Sequence, residues 1–180
     1  MKLLFILSLA LSLYGNVKTE MLQLYKTAQY QEVCNIGFDN FEANKRDEEY
    51  VSLYAFSCLK SDYIDRLAAP VSVLKFSESA RANSTYFAVI LMQKKLLYHA
   101  LIDGYDLSSY RFPTTDYVLS IVFDLYTKLG KHEPREFYIF QNPKDEKLSY
   151  KLYRYNDGRV NKIVIEEYYD TIATKRHTYW

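Results

Sequence analysis

Glycine is scarce in this chain, at five of 180 residues, and cysteine is scarcer still, at two. So little glycine argues against a collagen-like or flexible chain. The two cysteines, Cys34 and Cys58, lack the close C-x-x-C spacing that tunes a reactive thiol pair. Net charge is also missing: 23 Lys and Arg against 22 Asp and Glu leave +1 with the histidines neutral. A field that small cannot steer a protein to nucleic acid, and the densest basic pairs, Lys94-Lys95 and Lys175-Arg176, are too short to form a footprint. Nucleic acid is not an expected partner. The usual catalytic constellations are absent as well: there is no G-x-S-x-G elbow, no H-E-x-x-H pair and no phosphate-binding glycine loop. His99, His132 and His177 are far apart, and His99 with Asp103 one turn later reads as a solvated or core-edge histidine rather than a metal pair. The chain is not expected to be an enzyme or to carry a cofactor or metal.

What is present is tyrosine, 19 residues of it, in a chain that is 49% apolar and 25% charged. Those proportions fit a folded protein with packed amphipathic faces. The length suits one well-buried domain, or one domain with an appendage.

Residues 1–15 have the layout of a secretory leader: Lys2 as the positive start, an apolar core of eleven residues from 3 to 13, and the small residues Gly15 and Asn16 after it. The run is too short to span a bilayer, which takes about 20 apolar residues. The cleavage site fits the small-x-small rule poorly, so an uncleaved anchor is the alternative. The expectation is an exported protein, periplasmic if the host is a Gram-negative bacterium, with no membrane span in the mature chain.

Helical spacing then runs from 18 to 76. Residues 18–27 carry Met21, Leu22 and Tyr25 on one face, and residues 30–41 carry Tyr30, Cys34, Phe38 and Phe41. Asp47 is placed to cap a helix bearing Val51, Tyr54, Ala55 and Cys58, with Glu48 and Glu49 favoured in its first turn. A fourth segment, 63–76, aligns Leu67, Val71 and Leu74 and is kinked or split at Pro70. The second hairpin echoes the first at an offset of about 33 residues, the period of helix-turn-helix solenoids.

The run Tyr25-Lys26-Thr27-Ala28-Gln29-Tyr30-Gln31-Glu32-Val33 resembles the inter-helix turn of tetratricopeptide repeats, and Ser61-Asp62-Tyr63 repeats part of it. Arg66 stands where the second unit would carry a small residue, and the proline that closes a repeat is missing. Over about residues 18–76 the resemblance implies stacked helices that bind other proteins. In that stack the second helix of one unit packs on the first helix of the next, and these are the helices holding Cys34 and Cys58. Paired cysteines are the rule in exported chains, so a disulfide is expected, with two reduced core cysteines as the alternative.

Residues 80–102 form the longest helical stretch, with two apolar faces interrupted by Gln93-Lys94-Lys95 and a stop at Gly104. A further helix follows a cap at Thr114 or Thr115 and carries Val118, Ile121, Val122, Leu125 and Leu129. After Pro134 the pattern changes to strands at 136–141, 147–155 and 159–168. A two-residue Asp157-Gly158 turn would pair Leu152 with Ile163 and Tyr150 with Ile165. Glu166, Glu167 and Asp170 read as a solvated sheet edge.

The expected fold is α+β, mainly α: tetratricopeptide-like hairpins over 16–133, a three-stranded antiparallel β-meander over 134–170 and a loose tail over 171–180. Tyr168, Tyr169, Tyr179 and Trp180, near one end of the chain, are the residue types favoured as interface anchors and are the candidate partner-binding residues. The function this predicts is an exported protein-interaction scaffold, or an accessory subunit of a cell-envelope assembly, that takes a protein partner through a helical groove or a sheet edge. The rival is an envelope hydrolase using acids near Glu166.

Overall fold

The computed structural model describes residues 17–180, and the leader-like stretch 1–15 lies outside the described residues. The fold is α+β and mainly α, with helices first and an antiparallel sheet at the C-terminal end. The chain divides into two compact units between Ser84 and Thr85.

The first unit holds α1 (Val17–Lys26), α2 (Tyr30–Asp39), the short α3 (Phe41–Asn44), α4 (Glu48–Lys60), a 3-10 turn (Ile64–Leu67) and α5 (Ala68–Val73). Pro70 sits in the first turn of α5, where its missing N–H removes no helical bond, so the expected split is made by the 3-10 turn in front of it. Helices α1 and α4 end in the same way. Gln29 N–H donates to the Leu24 carbonyl across a turn with Ala28 at φ 60°, and Tyr63 N–H donates to the Cys58 carbonyl across a turn with Asp62 at φ 65°. The two turns are 34 residues apart, one more than the sequence offset suggests. Met21 and Ala55, and Val33 and Leu67, are buried at the same interval.

Helix α2 packs on both α1 and α4. Cys34 and Cys58, fully buried, join α2 to α4 through a disulfide with Cα atoms 4.8 Å apart. One turn beyond Cys34, Gly37 lets the backbones meet closely: a Cβ there would lie 2.8 Å from Tyr54 Cβ and 2.5 Å from its ring. The Tyr50 hydroxyl donates to the Gly37 carbonyl at 3.0 Å, so the bare backbone is also bonded across the contact. Arg66 has a purpose that its resemblance-breaking position hides. Its guanidinium lies between the rings of Phe38 and Tyr63, 4.6 and 4.7 Å away, and donates to Asn35 Oδ1 at 2.9 Å, tying the second hairpin back to α2.

Asp47 caps α4 as expected, accepting from Glu49 and Tyr50 N–H at 3.1 and 3.0 Å. Glu48 does something else. Its carboxylate accepts backbone N–H bonds from Lys75, Phe76 and Ser77 at 3.0, 2.7 and 2.9 Å, just ahead of α6 (Glu78–Asp103), whose first turn is capped by Ser77 Oγ. The Phe76 N–H leads the groups that pull the Glu48 carboxyl down to about 2, overcoming a smaller effect of burial in the opposite direction.

In the second unit α6 continues to Asp103, a loop leads to α7 (Val118–Thr127), and four strands follow: β1 (Phe137–Gln141), β2 (Leu148–Asn156), β3 (Asn161–Tyr169) and β4 (Ile172–Tyr179). The sheet is an antiparallel meander in the order β1-β2-β3-β4. Its inner face buries Tyr138, Phe140, Tyr150, Leu152, Ile163, Ile165, His177 and Tyr179. Here α6 presents a single buried stripe, Phe87, Ile90, Gln93-Lys94, Leu97 and Ala100-Leu101, rather than two apolar faces. Lys94, expected to interrupt the helix face, is buried and donates to the Trp180 carbonyl. Helix α7 follows Tyr117 rather than a threonine cap.

Two expectations for the sheet are corrected. The chain end is not a loose tail: β4 pairs with β3 from Ile163↔Tyr179 to Tyr169↔Ile172. Only His177 and Tyr179 of β4 are buried while Ile172–Arg176 stay exposed, so its polar composition hid an edge strand. The β2–β3 register is also two residues from the expected one, with Leu152 opposite Ile165 and Arg154 opposite Ile163. The cause is Asp157. Its carboxylate accepts from Arg159 and Val160 N–H at 3.0 and 3.1 Å and pairs with Lys162 at 2.6 Å, building a four-residue loop in place of a two-residue turn. A shift of two keeps every side chain on its expected face.

Two outcomes test this packing. Gly37→Ala gains about 1 kcal/mol of helix propensity but forces the added methyl into Tyr54, and overpacking of this kind costs about 1–3 kcal/mol. Urea unfolding should therefore show a net loss of stability; a variant at least as stable as the parent would refute the close contact. Because the Glu48 carboxyl falls from 4.5 to about 2 on folding, the stability it supplies is complete above about 4.5 and is lost as pH drops through 2. Glu48→Gln should flatten that acid limb of a stability-versus-pH curve, and an unchanged limb would show that the three-amide contact does not exist.

Candidate functional site

Period-two alternation gives the meander an outer face opposite the one that carries Tyr138, Leu152, Ile165 and His177. On β1, Phe137 and Ile139 point outward. Next to them stand Lys151, Tyr153 and Tyr155 of β2, then Lys162, the fully buried Val164, Glu166 and Tyr168 of β3, then Arg176 of β4. Lys151 Nζ lies 5.0 Å from the Phe137 ring centre and 5.3 Å from that of Tyr153. Lys162 lies 5.0 Å from the Trp180 ring, and the Arg176 guanidinium 5.8 Å from Tyr155. Aromatic faces and cations alternate across the sheet, each cation set over a ring.

Glu166 is the keystone of this face. Tyr153 donates to one of its oxygens at 2.9 Å and Tyr168 to the other at 2.8 Å, while Arg176 sits opposite it on β4. Burial works to raise its carboxyl, but the hydroxyls of Tyr168 and Tyr153, with Lys151 and Arg176, outweigh that and hold it below the usual range. The same bonds push both phenols up, Tyr168 chiefly through Glu166 and Tyr153 chiefly through burial. A carboxylate kept ionised by two hydroxyls lacks the raised proton affinity a general acid needs near neutrality.

The candidate partner-binding residues do not form one patch. Tyr168 is half-buried, with its hydroxyl engaged by Glu166. Tyr169 is exposed at the end of β3, with Lys147 5.9 Å from its ring, on the side opposite Tyr168. Tyr179 is 1% exposed, its hydroxyl 3.2 Å from that of Tyr117, and so presents nothing to a partner. Trp180 is exposed and joins the outer face. The residues that sequence reasoning missed are Phe137, Ile139, Lys151, Tyr153, Tyr155 and Arg176. The alternation at 137/139 and 151/153/155 carried the signal, but it was read for pairing and not for what the outer face would display.

The two sheet edges differ. β4 carries Lys175 and Arg176 and a bulge at the Glu167/Tyr168 step, features that blunt an edge against strand addition. β1 reads Phe-Tyr-Ile-Phe-Gln, with no charge, proline or irregularity, and pairs only with β2. Ile139, at its centre, is 60% exposed.

Among the described residues no group of three or more His, Cys, Asp or Glu is placed to hold a metal ion. His99 and Asp103 approach to 3.9 Å on the surface, and the His99 ring stacks on Tyr105 at 4.4 Å. No described helix is long and apolar enough to cross a membrane. No protein-family model, curated protein or solved structure matches the chain.

Proposed function

We propose that the chain is an exported interaction module, an accessory subunit of a cell-envelope assembly that receives an extended segment of a protein partner along β1. The observation that carries this reading is the contrast between the sheet edges: one is charged and bulged, while the other is flat, uncharged and apolar. A flat apolar edge is where a partner strand adds, with main-chain hydrogen bonds giving affinity and alternate side chains giving specificity. The segment that fits has apolar residues at alternate positions and a carboxylate to meet Lys151, which lies opposite Ile139 on the outer face. Phe137, Tyr153 and Trp180 supply the aromatic anchors that interfaces favour.

Export is supported by the Cys34–Cys58 disulfide, since such bonds persist in oxidising compartments and are rare in the cytosol. The first unit supports a tetratricopeptide-like stack through its two matching turns 34 residues apart. In this reading the binding edge belongs to the second unit.

The reading is tested by placing a photocrosslinking residue at position 139, or at position 172 on β4, in the chain expressed in its own host. One protein should be captured from 139 and not from 172. Ile139→Lys should weaken binding of that protein by about tenfold or more, the cost of losing an interface anchor, while Ile172→Lys should not. Equal capture from both edges, or an Ile139→Lys variant that binds normally, would contradict strand addition at β1.

A further inference from the structure

The two ends of the meander differ as its two edges do. Its register brings the start of β1, the β2–β3 loop and the end of β4 together, through Phe137↔Tyr153, Asn156↔Asn161 and Ile163↔Tyr179. We propose that this end of the sheet rests on the surface of an anionic phospholipid bilayer. Trp180, Tyr155 and Val160 lie at the lipid–water boundary, and Arg154 and Arg159 face the headgroups.

Charge is the first observation. In the connecting loops and within two residues of a strand end, this end carries Arg135, Arg154, Arg159 and Lys162 against Glu136 and Asp157. The opposite end carries Lys144 and Lys147 against Asp145, Glu146, Glu167 and Asp170. A chain of net charge +1 thus has a sheet that is positive at one end and negative at the other. The acid beside Val160 is also engaged within the protein, since Asp157 pairs with Lys162 at 2.6 Å and accepts the N–H groups of Arg159 and Val160. Arg154 and Arg159 are exposed. A negatively charged membrane attracts each exposed cation near it, with no need for the guanidinium groups to converge on one point.

The second observation is the apolar surface among these cations. Trp180, the one tryptophan of the chain, is 52% exposed, and Tyr155 and Val160 are exposed with it. Hydrogen bonds hold these groups in place. Gly158, at φ 88°, donates its N–H to Asn156 Oδ1 at 2.6 Å, and Asn156 Nδ2 donates to Asn161 Oδ1 at 2.7 Å. Lys94 donates to the Trp180 carbonyl, and Lys162 lies 5.0 Å from the Trp180 ring. Loop and ring are therefore presented ready-made, which lowers the ordering cost of contact. Tryptophan and tyrosine favour headgroup depth, where an amphipathic ring keeps its polar edge wet. The opposite end exposes Tyr169 and Ile172 as well, but among carboxylates that an anionic surface repels. Strand addition at β1 leaves the positive end open, because Val160 lies in the β2–β3 loop and Trp180 follows β4, on the far side of the sheet.

The emission of Trp180 tests this in the full chain, with vesicles of equal parts phosphatidylglycerol and phosphatidylcholine and with vesicles of phosphatidylcholine alone. The anionic vesicles should shift the emission to the blue, and the neutral ones should not. Added salt should reverse the shift by screening. Arg154→Gln and Arg159→Gln should each weaken vesicle binding about fivefold, with thermal unfolding near that of the parent. Lys144→Gln and Lys147→Gln, at the opposite end, should leave it unchanged. An unchanged emission would overturn the proposal even if the chain sediments with the vesicles, because residues 1–15 or another surface would then hold the lipid. An equal shift with neutral vesicles, or arginine variants that bind as the parent does, would overturn it too. Capture from position 139 requires neither lipid nor these arginines, so this surface and the β1 edge fail separately.

Discussion

The closeness of α2 and α4 is the constraint on which the first unit depends. A glycine without a Cβ, a tyrosine ring filling the space it leaves and a buried disulfide one turn away all act on the same pair of helices. Each compensates for a weakness of the others. The glycine is the poorest ordinary helix former, by about 1 kcal/mol relative to alanine. Cross-linking a loop of 24 residues recovers about 3 kcal/mol by restricting the unfolded chain. With α2 and α4 clamped, the 3-10 turn and α5 follow, and Arg66 reaches back across the joint between two aromatic rings. The start of α6 is set from the same place, because Glu48 in the first turn of α4 gathers the three amides that precede it.

The second unit solves a different problem, a sheet with two faces and two edges. The inner face is closed by aromatic and branched side chains and by a small number of buried polar groups with defined partners. His177 meets Glu167 at 2.9 Å, and Lys94 takes the Trp180 carbonyl. Those contacts anchor a strand that is otherwise polar. The outer face buries Val164 at its centre beside the ionised Glu166, with Lys151, Lys162 and Arg176 each set over an aromatic ring. Only one edge is protected. A bulge and two cations blunt β4, and β1 carries neither.

The fold class and the order of helices before strands could be read from spacing and composition, because each is written in local periodicity, while the cysteine pairing was expected from the repeat resemblance and the leader. The Asp47 cap was legible for the same reason, since the N–H groups it accepts belong to Glu49 and Tyr50, two and three residues on. What could not be read was set by contacts distant in sequence. Glu48 looks like one more first-turn acid until residues 75–77 are brought to it. Arg66 looks like a departure from a repeat until Phe38 and Tyr63 close over it. Lys94 looks like a break in an apolar face until the chain end arrives. Strand β4 was missed because an exposed edge strand with two buried side chains has almost no hydrophobic signal, and Tyr179 was misjudged with it. The β2–β3 register was lost to one side chain, Asp157, which stabilises a longer loop than the Asp-Gly pair alone suggests. Of the outer face only Trp180 was marked correctly as exposed; the cation–aromatic pairs around it require the register to be known.

The clamp between α2 and α4 requires Cys34 and Cys58 to be oxidised. Its most direct test is the mass of the protein taken from its own host with free thiols blocked at lysis. The prediction is a chain that takes up no blocking reagent and is two hydrogens lighter than the reduced form. Two blocked thiols, at Cys34 and Cys58, would contradict both the clamp and the compartment inferred from it.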